Sequence, residues 1–216
     1  MPPRSEPIQI PLDHQAIALD GDLVVPTTSR GVVVFAHGSG SGRHSPRNRA
    51  VAASLQQAGF ATLLMDLLTA AEEATDRHTA HLRFDIELLA RRLDAATAWL
   101  ALQPETSSLS VGYFGASTGA AAALIAATRN DRVRAIVSRG GRPDLAGSLL
   151  PAVKAPTLLI VGGEDGQVIA LNQRALNTLR CPKQLTIVPG ATHLFEEPGA
   201  LEQVMTLAAQ WFERYL

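Results

Sequence analysis

The 216-residue chain is 46% hydrophobic and 18% charged, with a net charge of −1. That length suits one sizeable domain over residues 1–216, and the near-neutral charge gives no electrostatic basis for a nucleic-acid or membrane partner. A single cysteine, Cys181, excludes an internal disulfide, no apolar run reaches a membrane span, and Met1–Pro7 holds no apolar leader, so a soluble cytoplasmic protein is expected.

Ile8–Leu12 and Ala16–Val25 read as two opening strands joined by a turn at Asp13 and His14. Gly31–Ala36 is almost continuously apolar, the mark of a strand buried on both faces. A Gly/Ser loop follows, then a helix from about Pro46 to Ala58, closed by Gly59. Phe60–Met65 is the next strand. A polar stretch, Thr69–Thr79, leads to a long helix over about Ala80–Leu102, stopped before Pro104. Leu109–Phe114 is a strand followed by a helix-forming run from Ala120. Val133–Ser138 and Pro156–Val161 are strands, Val168–Leu179 a helix, Gln184–Val188 the last strand and Gly199–Tyr215 the closing helix. Strands alternating with helices predict an α/β fold, its parallel sheet covered on both faces.

The most informative stretch is Gly115-Ala116-Ser117-Thr118-Gly119, which reads Gly-x-Ser-x-Gly between a strand and a helix. A sharp turn there lifts the serine hydroxyl clear of the backbone. The glycines permit the turn and the close helix–strand approach, and the helix N-terminus favours a developing oxyanion. A serine hydroxyl is a weak nucleophile near neutral pH, so it needs a base, and the base needs an orienting carboxylate.

In a parallel sheet, functional loops follow the carboxyl ends of the strands. Asp165 follows Pro156–Val161 in a glycine-rich turn, and His193 follows Gln184–Val188. Ser117, Asp165 and His193 thus fall in the order nucleophile, acid, base. Glu164 and Asp144 are rival acids, and His37, His44, His78 and His81 rival bases, but only His193 follows the acid strand. Cys181 reads as an inert thiol. Two backbone N–H groups should bind the oxyanion: that of Thr118, and one from the loop His37–Gly42, with Ser39 preferred and Gly40 second. His37 is expected to orient that loop.

The same glycine loop could mimic a dinucleotide or phosphate site. Gly-x-Gly-x-x-Gly fails because Arg43 stands where the third glycine belongs, and no Gly-Lys-Ser/Thr follows. His78-x-x-His81 lacks a second ligand pair, so neither a metal nor any other cofactor is expected.

These motifs resemble the α/β-hydrolase superfamily, and within it the dienelactone-hydrolase-like group. The resemblance runs from Phe35-Ala36-His37-Gly38 through the serine turn and Gly162–Val168 to Gly190-Ala191-Thr192-His193. It is greatest to small hydrolases that elsewhere occur fused to a phosphoribosyltransferase-like domain, for which this chain has no room. The resemblance implies an α/β-hydrolase fold with a mostly parallel eight-stranded sheet, helices on both faces, and Ser117, Asp165 and His193 as the triad. It also implies ester or lactone hydrolysis through an acyl-enzyme. Dienelactone hydrolases proper use cysteine where this chain has Ser117, which sets true dienelactone activity apart.

Between Ser138 and Pro156 there is room only for a short helix near Arg142–Leu150, so no large lid domain is expected and the site should be open to small substrates. Arg43, Arg47 and Arg49 follow the oxyanion loop, and Arg139 and Arg142 follow the sixth strand. Arg43 and Arg139, with Gly40, are the expected substrate-binding residues, the arginines meeting a carboxylate or phosphate. The expected partner is a small-molecule ester or lactone. The alternatives are peptide or thioester cleavage on the same triad, or a non-catalytic binding module on the same scaffold.

Overall fold

The computed structural model describes residues 5–12 and 17–216. Its strands are β1 (Ser5–Leu12), β2 (Ile17–Val24), β3 (Val32–Ala36), β4 (Ala61–Met65), β5 (Val111–Ala116), β6 (Val133–Arg139), β7 (Thr157–Gly162) and β8 (Lys183–Val188). The helices are α1 (Pro46–Gln57), α2 (Ala70–Thr79), α3 (Ile86–Leu100), α4 (Thr118–Ala127), α5 (Gly166–Thr178) and α6 (Ala200–Tyr215). All eight strands join one sheet in the order β1-β2-β4-β3-β5-β6-β7-β8. β2 pairs antiparallel with β1 and with β4; from β4 to β8 every pairing is parallel.

The reason lies in the strand sequences. β3, β4 and β5 are buried at every position, so they need cover on both faces. On one face Val33, Phe35 and Phe114 pack against Val51 and Leu55 of α1 and Val204 and Phe212 of α6. On the other, Val32, Val34 and Tyr113 share one core with Leu89 and Leu93 of α3, Ala122 and Leu124 of α4, and Ala175 of α5. Every residue of α4 is buried. Its run of alanines lets the helix axis lie close to the sheet, directly behind the serine turn. The eight-stranded mostly parallel sheet agrees with the sequence expectation. Among the described residues no helix is long and apolar enough to cross a membrane.

Two boundaries differ. The expected helix over Ala80–Leu102 begins only at Ile86, and the polar stretch before it is itself a helix, α2. Thr69 caps α2 through a reciprocal capping box with Glu72, and the chain leaves α2 with Ala80 in a left-handed conformation (φ 51°). Asp76, fully buried, then accepts hydrogen bonds from the Leu82 backbone N–H (2.6 Å) and from Arg83 Nε (2.5 Å). Asp85 restarts the helix by accepting the Leu88 N–H at 2.9 Å. Polar side chains that satisfy helix ends thus divide what apolar spacing alone reads as one segment. The other boundaries fall within a few residues of those expected, and the interval between β6 and β7 holds a 3₁₀ segment, Pro143–Ala152, and no lid domain. The expected turn at Asp13 and His14, and Ala16 of the second strand, lie outside the described residues.

Candidate active site

Ser117 stands between β5 and α4 with φ 50° and ψ −122°, a conformation that L side chains rarely adopt. The neighbouring sequence enforces it. A Cβ on Gly115 would strike the backbone of Ala120, and one on Gly119 would strike the carbonyl oxygens of Ala36 and His37. Both positions therefore admit only glycine, and the turn can close against β3. The strain is held by packing on both sides, with Ser117 O accepting the Arg142 N–H at 3.0 Å and the Ala120 N–H at 3.1 Å.

The ends of β7 and β8 bring Asp165 and His193 together. Asp165 Oδ2 lies 2.6 Å from His193 Nδ1. An ionised carboxylate there makes Nδ1 the protonated, donating nitrogen. Their loops are packed backbone to backbone: Glu164 N–H donates to Ala191 O (3.0 Å), Gly163 N–H to Val188 O (2.8 Å), and Gly162 lies so near Ala191 and Thr192 that a Cβ would collide with their carbonyls. The carboxylate is largely buried (15% exposed) and the imidazole is more open (41%). The rival acids stand elsewhere. Glu164 is exposed, and Asp144 is occupied by a two-pronged pair with Arg142 at 2.9 and 2.8 Å.

Ser117 and His193 line one cavity of about 650 Å³ together with the loop Gly38–Gly42, Arg47, Arg139 and Leu194. None of its lining residues comes from residues 69–79. The loop is tied down by His37, whose Nε2 accepts the Leu67 N–H at 3.0 Å while Nδ1 donates to Gly38 O at 3.0 Å. Burial lowers the His37 pKa from its ordinary value, which keeps this doubly bonded ring neutral. Gly38 packs against the Ser117 side chain. Thr118 begins α4 immediately after the serine. The Ser39 N–H, expected to face an oxyanion, instead donates to Thr118 Oγ1 at 3.1 Å. Gly40, also on the cavity wall, sits in open space with φ 71°.

The arginines divide in a way that sequence spacing does not show. Arg43, expected to meet substrate, turns away from the cavity. It pairs with Asp66, which also accepts its backbone N–H at 2.7 Å, and lies 3.6 Å from Asp20 and 3.7 Å from Asp22. Two of these partners come from β2 and its pairing with β4, a contact no local pattern announces. Arg142 is taken by Asp144. Arg139 does line the cavity and is 8% exposed. Arg47, which the sequence left among several loop arginines, is the second cavity arginine; it reaches Glu196 at 2.8 Å. Cys181 is buried beside Thr157, with burial raising its thiol pKa, and is remote from the cavity lining. His78 and His81 are exposed.

A mostly parallel eight-stranded sheet with a strained strand–serine–helix turn at its carboxyl edge defines the α/β-hydrolase class. Within that class, the sequence pattern of the dienelactone hydrolase family matches residues 19–216, and the chain belongs to that family. It is similar to a dienelactone hydrolase from Anabaena variabilis, 58% identical with a TM-score of 0.97 over the whole of both chains. It is 62% identical over its full length to a Mycobacterium tuberculosis protein provisionally named a phosphoribosyl transferase, but spans only 47% of that protein. An esterase from Pyrococcus furiosus shares the fold (TM-score 0.79, 17% identity), covering 99% of this chain and 93% of its own.

Proposed function

We propose that this chain is a cofactor-free serine hydrolase that cleaves small carboxylic esters or lactones through an acyl-enzyme. One observation carries the reading: a serine held at positive φ shares a cavity with a histidine whose far nitrogen is fixed by a largely buried carboxylate. In this reading His193 Nε2 takes the Ser117 proton as Oγ attacks the carbonyl carbon. The proton then passes to the leaving alcohol, whose bond to the acyl carbon breaks. Water, deprotonated by the same histidine, attacks the acyl-enzyme and frees Ser117. Asp165 orients the ring and stabilises the imidazolium.

The oxyanion is bound by the Thr118 N–H and a second N–H of the glycine loop. Gly40 takes that second place in this reading, because the Ser39 N–H is engaged by the Thr118 hydroxyl. The family and the esterase likeness support hydrolysis; the lone free cysteine suits the reducing conditions of a cytoplasm.

A fluorophosphonate probe tests the assignment. Labelling mapped to Ser117, lost in Ser117→Ala, is the expected result. Labelling elsewhere, or equal hydrolysis of a p-nitrophenyl ester by the Ala variant, would overturn it.

A further inference from the structure

Helix α5 carries a polar residue where its spacing calls for an apolar one. Val168, Asn172 and Ala175 are the buried positions of the helix, and Asn172 is fully buried. Its Oδ1 has no hydrogen-bond partner, which costs stability, and a leucine there would avoid that cost. What the amide holds is backbone far along the chain: Nδ2 donates to Gly141 O at 2.9 Å, and to Val168 O of its own helix at 2.8 Å. Gly141 belongs to the turn after β6, and that turn touches both Ser117 and His193. A Cβ on Gly140 (φ 51°) would meet His193 O at 3.1 Å and the ring atoms Cε1 and Nδ1 at 3.5 Å, so the Gly140 backbone lines the imidazole. Two consecutive glycines are highly permissive backbone, so hydrogen bonds must set their path. The Gly140 N–H is held by Ile160 O at 2.8 Å and the Arg142 N–H by Ser117 O at 3.0 Å; the Gly141 carbonyl between them is held by Asn172.

We propose that Asn172 is a positioning residue for His193: through the Gly141 carbonyl it fixes the Gly140–Arg142 turn against the imidazole and the serine turn. This rests on the hydrolase reading above. Asn172 stands two turns along α5 from Asp165, which precedes the helix and meets His193 Nδ1 at 2.6 Å. One helix therefore sets the carboxylate on one side of the imidazole and, through Gly141 O, the glycine backbone on another. Removing the Nδ2 donor frees Gly141 O, lets the turn drift from the ring, and leaves the imidazole held at Nδ1 alone. Both acceptors are carbonyl oxygens, so the amide nitrogen has to face them and a carboxylate could not replace it. Asn172 does not line the cavity, so its effect falls on kcat and not on substrate binding.

The test pairs Asn172→Leu, which keeps the buried bulk and removes the donor, with Thr106→Val. The second variant removes another fully buried bond, from Thr106 Oγ1 to Leu100 O at 2.7 Å, away from the cavity wall, and so measures what lost stability alone does. Asn172→Leu should lower kcat on p-nitrophenyl butyrate by about ten- to a hundredfold with KM within about threefold, and slow fluorophosphonate labelling of Ser117 by a like factor. Nitrogen chemical shifts of isotope-labelled histidine, read at alkaline pH where imidazole is neutral, should show His193 protonated at Nδ1 in the wild type and moved toward the mixed-tautomer average in Asn172→Leu. Thr106→Val should leave kcat and the His193 signal as in the wild type. Should Asn172→Leu fail to fold, Asn172→Ser, too short to reach Gly141 O, is read in the same way. A kcat within about threefold of an active wild type, an unmoved His193 signal, or an equal loss in Thr106→Val overturns the role of Asn172. The two readings stay apart. A wild-type protein that neither labels at Ser117 nor cleaves the ester removes the hydrolase, and the His193 signal then decides the positioning; labelling of Ser117 with an unmoved His193 signal in the variant leaves a hydrolase and removes the positioning.

Discussion

The glycine loop after β3 separates two basic regions that look alike in sequence and differ in charge balance. On the β2–β4 side, Arg43 is surrounded by Asp20, Asp22 and Asp66. On the β6 side, Arg139 lies buried beside Ser117, and no acidic side chain pairs with it among the described residues. The first arginine is spent on holding the loop, because Asp66 grips both its side chain and its backbone N–H. The second holds nothing in place.

The largest expected effect falls on the cavity side. Ser117→Ala should lower kcat on a p-nitrophenyl ester by about 10⁴-fold or more, while circular dichroism stays that of the folded protein. A loss of less than tenfold would detach the chemistry from this cavity.

The wall between the regions comes next. Gly119→Ala places a Cβ against two backbone carbonyls that cannot move aside. A loss of about 3 kcal/mol in denaturant unfolding is expected. A neutral effect would mean that the turn has room and that its strain is not enforced by packing.

Arg43→Gln sharpens the contrast with Arg139. It should cost about 1–2 kcal/mol of stability, since its acidic partners are only partly exposed, and it should leave kcat/KM on a p-nitrophenyl ester within about threefold. A collapse of kcat/KM with stability unchanged would put substrate on the Arg43 side of the loop.

The smallest effect is in pH. His37 titrates in the folded protein below its ordinary 6.5. Well above pH 6.5 it is neutral in both states and gives no pH dependence. As pH falls below 6.5 the unfolded chain takes up a proton that the folded chain refuses, so stability declines by up to about 1.4 kcal/mol per unit. Urea midpoints between pH 7.5 and 5 should show this decline, and it should flatten in His37→Asn. An unchanged slope in that variant would assign the dependence to other groups.

Much of the fold was legible because its signals are local. Apolar runs at β3, β4 and β5 mark strands covered on both faces, and glycines at 115 and 119 mark a turn with no space for side chains. The start of α3 was misplaced because Thr69, Asp76 and Asp85 act through hydrogen bonds that hydrophobic spacing does not register, although Thr69-x-x-Glu72 was there to be read as a capping box. Asp165 and His193 were legible as residues at successive strand ends; their 2.6 Å approach depends on backbone contact between Gly162 and Ala191–Thr192.

By itself the sequence determined the alternation of strands and helices, the strained serine turn, and the chain order of serine, acid and histidine. Each depends on residues within one turn or one strand, where steric and apolar rules act directly. Tertiary structure alone decided which arginine is neutralised, which is left bare, and that the Ser39 N–H is already engaged by Thr118. Those outcomes depend on partners far apart along the chain, Asp20 for Arg43 and Thr118 for Ser39, and electrostatics counts only distance in space.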